Sequence, residues 1–195
     1  MSGFLIERSD APEPPWRHRF CGEHGIEGAR CPNCAKPLLC FLRIDGADPR
    51  TPASRFGAIE VPLLFCWTCD VSQADLFYRL EAAGRVRLLR CGSGGCQRDF
   101  PYEGYPTSFP ERPARLRPVP SPLPHHPAHQ IGGHPWLVQP RRPLACVECA
   151  RPMHFFAVIA DDSTGPRGFT DNPFVQVLYH ACFRCGVLGA YQACD

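Results

Sequence analysis

Eight cysteines of this 195-residue chain fall into four C-x-x-C pairs: Cys31/Cys34, Cys66/Cys69, Cys146/Cys149 and Cys182/Cys185. A pair at this spacing occupies one tight turn, so both sulfurs can face one ion, and two such turns supply the four donors of a tetrahedral zinc site. Redox C-x-x-C chemistry, iron–sulfur ligation and plain buried thiols are the alternatives. The arrangement of the pairs favours zinc. Thirty-one residues separate Cys34 from Cys66, and 32 separate Cys149 from Cys182. Each half therefore closes its own site: Cys31, Cys34, Cys66 and Cys69 around one Zn2+, and Cys146, Cys149, Cys182 and Cys185 around a second. Four thiolates leave no open coordination position, so both ions are expected to be structural.

The remaining chemistry-bearing residues form no catalytic constellation. Cys91-Gly-Ser-Gly-Gly-Cys96 with Cys21 and His24 is either a third metal site or a glycine-rich turn with two free thiols. The turn is favoured because the second half carries no copy. Cys40 lies in a strand and is expected to be a small core residue; nothing in the sequence places Cys194. His125, His126, His129 and His134 occupy a proline-rich stretch, where solvated or locally bonded histidines are commoner than a metal or acid–base cluster. Asp161-Asp162 reads as turn chemistry rather than a catalytic carboxylate pair. The set Arg79, Arg85, Arg87 and Arg90 is either a charged strand edge or, with Arg141 and Arg142, a nucleic-acid face. No phosphate-binding glycine loop, G-x-S-x-G or H-E-x-x-H is present, and the chain is read as a non-enzyme.

The elements that must position the thiols repeat along with them. Cys31-Pro-Asn-Cys-Ala-Lys-Pro37 and the apolar run to Ile44 align with Cys146-Val-Glu-Cys-Ala-Arg-Pro152 and the run to Ile159. Val61-Pro-Leu-Leu-Phe-Cys-Trp-Thr-Cys69 aligns with Val177-Leu-Tyr-His-Ala-Cys-Phe-Arg-Cys185, with an aromatic residue (Trp67, Phe183) inside each second pair. This is an internal duplication in which each half runs knuckle, strand, long connection, strand, knuckle. Strands are predicted over Leu38–Ile44, Val61–Phe65, Met153–Ile159 and Val175–Tyr179. Leu76–Leu80 and Arg85–Leu89 form a predicted hairpin, with a short helix from Ser72 as its competitor. Pro110–Pro143 holds ten prolines, four histidines and five arginines, a density expected to exclude regular helix and central strand. The resulting division is an irregular segment 1–30, a first zinc-ribbon-like repeat with hairpin 31–109, a connecting segment 110–145 and a second repeat 146–195.

Composition bounds the partners. Twenty-one basic residues (all arginine but Lys36) oppose 19 acidic ones, a formal net charge of +2. That balance nominates neither nucleic acid nor an anionic membrane. Hydrophobic residues make up 44% of the chain, enough for a packed core. The longest apolar run, Val61–Trp67, is too short to span a bilayer, and Phe4-Leu5-Ile6 is followed at once by Glu7 and Arg8, so a cytoplasmic location is expected. In a reducing compartment, paired thiols suggest metal rather than disulfides.

The stretch His129-Gln-Ile-Gly-Gly-His-Pro-Trp-Leu-Val-Gln139, followed by Cys146/Cys149 and Pro152-Met153, resembles the bacterial YwqG-like family, which has no agreed activity. The resemblance covers residues 129–195 best and extends more loosely to Cys31, Cys34 and Pro37. A more distant similarity links the chain to the eukaryotic programmed-cell-death and ribosome-biogenesis family, which also follows G-G-x-P with C-x-x-C-x-x-P-L. Those relatives are dedicated chaperones of a ribosomal protein, which implies a client-binding role. From the residues alone, Gly132-Gly133 fits positive φ or close backbone approach, with Pro135 and Trp136 anchoring the connecting segment. The expectation is a predominantly β, α+β chain of two zinc-ribbon-like halves. It would serve as a protein-interaction or chaperone-like adaptor, with an exposed strand edge to receive a client. Nucleic-acid binding is the alternative.

Overall fold

Short runs of Phe, Leu, Ile and Val bounded by proline, glycine and aspartate favour strands over helices throughout this chain. A computed structural model describes residues 3–66, 75–92, 108–120, 128–160 and 175–194. It contains β1 (Phe4–Arg8), β2 (Arg19–Phe20), β3 (Leu39–Asp45), β4 (Glu60–Phe65), β5 (Leu76–Leu80), β6 (Val86–Cys91), β7 (Arg112–Pro118), β8 (Gln130–Ile131), β9 (His154–Ala160), β10 (Val175–Cys182) and β11 (Val187–Cys194). These form one curled, eleven-stranded sheet in the order β4-β3-β2-β7-β1-β8-β9-β10-β11-β5-β6. The protein is thus predominantly β as expected. Among the described residues the helical segments are two 3-10 turns, Pro52–Phe56 and Ala82–Gly84.

The predicted strand pairs and the hairpin are present. β3 pairs with β4, β9 with β10, and β5 with β6, all antiparallel. Two expectations fail. Residues 4–8 and 112–118, read as irregular, are strands in the middle of the sheet, with β1 paired to both β7 and β8. Leu5 and Ile6 are buried there, as are Ala114 and Leu116 of β7. The proline argument overreached because Pro113 lies one residue beyond the last β1–β7 pair, Arg8 with Ala114, so its missing N–H removes no bond from that ladder. The other proline of this strand, Pro118, is its final residue. The β5–β6 hairpin also attaches elsewhere than its sequence neighbours imply. It extends the sheet from β11, with Val187 to Ala190 opposite Arg79 to Leu76.

Side chains fill both faces of the sheet at its β9–β11 end. Ala157, Ile159, Val177, Tyr179, Leu188 and Ala190 join the larger core, whereas Val158, Leu178, Val187 and Tyr191 face the opposite way onto Leu137, Val138 and Leu144. The period of two along a strand makes each such run continuous in apolar residues. The buried Gln176 side chain clamps the connecting segment over this face: its Oε1 accepts from Val138 N–H at 3.0 Å and its Nε2 donates to Trp136 C=O at 3.2 Å. Gly132 and Gly133 both have φ of +65°, and a Cβ on Gly133 would stand 2.8 Å from the Gly3 Cα. Positive φ and close approach are therefore both needed here.

Both outer strands carry bonds from the rest of the chain on part of their free side. Tyr78 of β5 donates its hydroxyl to Pro62 C=O at 2.8 Å and accepts from Leu64 N–H at 3.1 Å, so β4 is capped by a side chain from the far end of the sheet. Beside β6, Val86 N–H donates to Glu27 C=O at 2.9 Å, and Asn33 Nδ2 donates to Gly92 C=O at 3.2 Å. The free side of β4 is thus partly covered by Tyr78, and that of β6 at Val86.

Candidate metal centres

The two knuckles that begin the repeats are built alike. Cys31 N–H donates to Lys36 C=O at 2.9 Å and Ala35 N–H to Cys31 C=O at 2.8 Å; Cys146 with Arg151 and Ala150 with Cys146 repeat these bonds at 2.9 and 2.8 Å. Ala35 and Ala150 take φ of +59° and +56°, a left-handed conformation that costs an L-residue about 1–2 kcal/mol. The turn bonds hold them there. Beyond each turn, Pro37 bridges to Arg30 and Pro152 to Ala145, which launches the following strand. The second pairs arrive on β4 and β10. Cys182 is the last residue of β10, and Cys185 N–H returns to Cys182 C=O at 3.2 Å.

Cys146, Cys149, Cys182 and Cys185 have their four sulfurs within 4.8 Å of one another, as do Cys31, Cys34 and Cys66. Cys69, the fourth expected donor of the first set, lies outside the described residues. The Cys149 and Cys182 sulfurs are 3.8 Å apart, and those of Cys34 and Cys66 are 3.7 Å apart. A zinc–sulfur bond of about 2.3 Å gives a tetrahedron whose edge is about 3.8 Å, so both sets have the spacing of ligands around one ion. All seven of these cysteines are free of disulfides.

The electrostatics of the second set also fit a cation. The Arg151 backbone amide, with the neighbouring thiols, draws the Cys149 thiol down to about 7. Cys185 is pushed up to about 12, chiefly by its contact with Cys149, and burial raises Cys182. Without a counter-ion, one thiolate suppresses ionisation of its neighbours; a divalent metal removes that repulsion and admits the remaining thiolates. In the first set, a hydrogen bond from Cys66 draws Cys31 down, but contact with Cys91 and burial outweigh it, leaving the thiol raised.

Both sets grip the β5–β6 hairpin. Glu148, inside the Cys146/Cys149 turn, pairs with Arg79 of β5. Asn33, inside the Cys31/Cys34 turn, reaches the Cys91 sulfur at 3.5 Å at the end of β6. Phe183, inside the Cys182/Cys185 turn, packs on Phe56 at 5.0 Å between ring centroids and lies 3.8 Å beneath the Arg55 guanidinium. Trp67, its counterpart, lies outside the described residues.

The other expected candidates resolve differently. Cys21 donates its thiol to Phe41 C=O at 3.5 Å, and His24 Nε2 donates to Leu38 C=O at 2.6 Å. Cys91 is found at the first knuckle instead, so among the described residues Cys21, His24 and Cys91 form no ligand group; Cys96 lies outside them. Cys40 is buried, as expected, with burial pushing its thiol up to about 12. His129 is a core residue that accepts from Ala160 N–H at 3.1 Å and packs on Phe20, whereas His134 is exposed beside Arg141. His125, His126, Asp161 and Asp162 lie outside the described residues. The arginines of the proposed nucleic-acid face are engaged: Arg79 with Glu148, Arg85 and Arg87 with Glu81, Arg90 and Arg142 with Asp75, and Arg141 over the Phe155 ring.

Sequence reasoning missed a buried polar network. His18 Nδ1 accepts from Asp45 N–H at 3.1 Å, which leaves the proton on Nε2 to be donated to Asp48 at 2.8 Å. Arg50 donates to the same carboxylate and also pairs with Glu13. Burial alone would raise the Asp48 carboxyl, but Arg50 and His18 hold it below its ordinary value. Both ring nitrogens of His18 are committed, so the network ties loops together and offers no general base. Asp48 stood in Gly46-Ala-Asp-Pro-Arg-Thr-Pro52, whose composition signalled a turn but not its partner 30 residues upstream. Compared with models of known families, with curated proteins and with solved structures, the chain finds no significant match in any of the three.

Proposed function

We propose that this chain is a zinc-stabilised protein-interaction module of chaperone-like use, with two zinc-ribbon-like halves that each close around one structural Zn2+. Cys146, Cys149, Cys182 and Cys185 hold one ion; Cys31, Cys34 and Cys66, completed by Cys69, hold the other. The carrying observation is the clustering of the sulfurs, within 4.8 Å of one another in each set and with one pair at 3.7 or 3.8 Å, which suits a single four-coordinate ion. Zinc is favoured over an iron–sulfur cluster because each set surrounds a single point. The engagement of His18 and His129 in internal contacts argues against their use in catalysis, and the balanced charge gives no excess for a nucleic-acid face. The distant resemblance to the ribosomal-protein chaperones supports a client-binding role in the cytoplasm.

With the β4 edge partly covered by Tyr78, this reading places client contact on side-chain surfaces. A groove of about 560 Å³ is lined by Pro12, Pro14, Pro15, Trp16, Arg17 and Pro113, among others; it is the surface on which this reading places the client. The test is native mass spectrometry of the tagged full chain captured gently from its host. Two zinc ions with a recurrent stoichiometric protein are expected, and Trp16→Ala should release that protein while keeping both ions. A correctly folded chain without metal overturns the reading, and so does a metal-loaded chain that binds nucleic acid at low salt and no protein.

A further inference from the structure

The second half carries basic side chains that the first does not. In the duplicated alignment His154 stands where the first half has Leu39, and Arg184 where it has Thr68. Leu39 is buried, whereas His154 and Arg184 are exposed, so the duplicated pattern itself does not call for a basic residue at either position. Phe183, beside Arg184 in the Cys182/Cys185 turn, gathers two of these groups. The Arg55 guanidinium lies over its ring at 3.8 Å from the centroid, and the His154 ring stacks on it at 5.9 Å with 27° between the planes. Arg55 and Arg151, the latter just beyond the Cys146/Cys149 turn, are exposed as well. Elsewhere arginines are balanced: Arg19 and Arg43 by Glu111, Arg50 by Asp48, Arg87 by Glu81, Arg90 and Arg142 by Asp75. Among the described residues Arg55, Arg151 and Arg184 have no carboxylate partner, and Glu148, the acid within these two turns, is taken by Arg79.

We propose that Arg55, Arg151 and Arg184, set around Phe183 and His154, form a docking surface for an acidic peptide segment of a protein partner. This deepens the protein-interaction reading given above and rests on it. A guanidinium laid flat on an aromatic ring directs its N–H groups outward in its own plane, where they match both oxygens of a carboxylate. The ring also holds the group in place, so less side-chain freedom is lost when the carboxylate arrives. Val147, 37% exposed in the Cys146/Cys149 turn, adds an apolar contact on the same knuckle. A phosphate backbone would meet the same arginines, but single-stranded nucleic acid also needs open aromatic faces for its bases. Phe183 is already engaged by Arg55, His154 and Phe56, which favours carboxylates.

The test follows the fluorescence anisotropy of a labelled oligoglutamate peptide with the full chain expressed with zinc, beside an oligolysine peptide and single-stranded DNA. Oligoglutamate is expected to bind, more weakly as salt rises, and oligolysine is not. Arg55→Ala and Arg184→Ala should each weaken binding about fivefold with metal content as in the wild type. Arg112→Ala, which removes an exposed charge from β7, should leave it unchanged. No binding of oligoglutamate, unchanged binding in Arg184→Ala, or equal loss in all three variants overturns the proposal. DNA bound more tightly than oligoglutamate through the same arginines makes the surface a nucleic-acid face and also overturns it. Should Arg55→Ala lose metal, Arg184→Ala decides alone. Capture from the host separates this proposal from the reading beneath it. A companion protein held equally by the wild type and by Arg184→Glu overturns the acidic-segment surface and leaves the interaction reading standing; no companion at all fails that reading and takes this proposal with it.

Discussion

A carboxylate as buried as that of Asp48 survives only because its partners are in place. Removing one member of a buried pair exposes the other to the full desolvation cost, on the order of 3–5 kcal/mol. Asp48→Ala should accordingly lower unfolding stability in urea by about 3 kcal/mol or more at neutral pH, since His18 is also buried while Arg50 keeps some access to water. The pH dependence follows from direction. The carboxyl is held below its ordinary value of 3.8 in the folded chain, so its contribution is complete above that value and is lost as pH falls through the lower folded one. The stability difference between wild type and Asp48→Ala should narrow below about pH 4. An unchanged difference at pH 3 would show that the pair is not what holds these loops. Tyr78 is the second such residue. Tyr78→Phe strands Leu64 N–H and Pro62 C=O inside the molecule, a loss of about 1–3 kcal/mol, read as a drop in the urea midpoint with unchanged slope.

At the scale of elements, the thiol spacing alone identified the knuckles, and β-favouring runs identified β3, β4, β5, β6, β9 and β10 to within a few residues. Those strands are locally apolar and joined by short turns or paired by the duplication, so local composition sufficed. The strands β1, β2, β7 and β8 are different. Phe4-Leu5-Ile6 could be strand, coil or a buried loop until Leu116 to Pro118 lies beside it, more than 100 residues away in sequence. No local pattern carries such a pairing. The covering of β6 was likewise invisible, because it depends on one glycine. Gly28 has φ of +83°, and a Cβ there would fall 1.9 Å from Val86 C=O. Gly28→Ala must lift the segment at Glu27 from β6. Amide exchange at Val86, which now donates to Glu27 C=O, should accelerate at least tenfold, while exchange in β9 and β10 stays as in the wild type.

For the whole molecule, the two centres occupy unequal places in one sheet, and the inequality predicts how the protein comes apart. The second centre closes β10, which pairs along its length with both β9 and β11, and so stands in the middle of the hydrogen-bonded sheet. The first stands beside the end of β4, the outermost strand on one side of the sheet, and reaches the end of β6, the outermost on the other, through Asn33. Binding of a structural zinc contributes on the order of 10–16 kcal/mol in small peptides, as much as the whole stability of a typical domain. On the zinc reading proposed above, losing either ion should therefore be felt, but not equally far. Cys149→Ser should cost the cooperative transition itself, with exchange protection lost across all eleven strands. Cys34→Ser should open the seam, releasing the amides of β3, β4 and β6 while β9 to β11 keep their protection and the second ion remains bound. Hydrogen exchange followed by mass spectrometry, with zinc counted on the same samples, separates these outcomes. If Cys34→Ser abolished protection in β9 to β11 as completely as Cys149→Ser, the two halves would form a single cooperative unit, and the first centre would be as integral as the second.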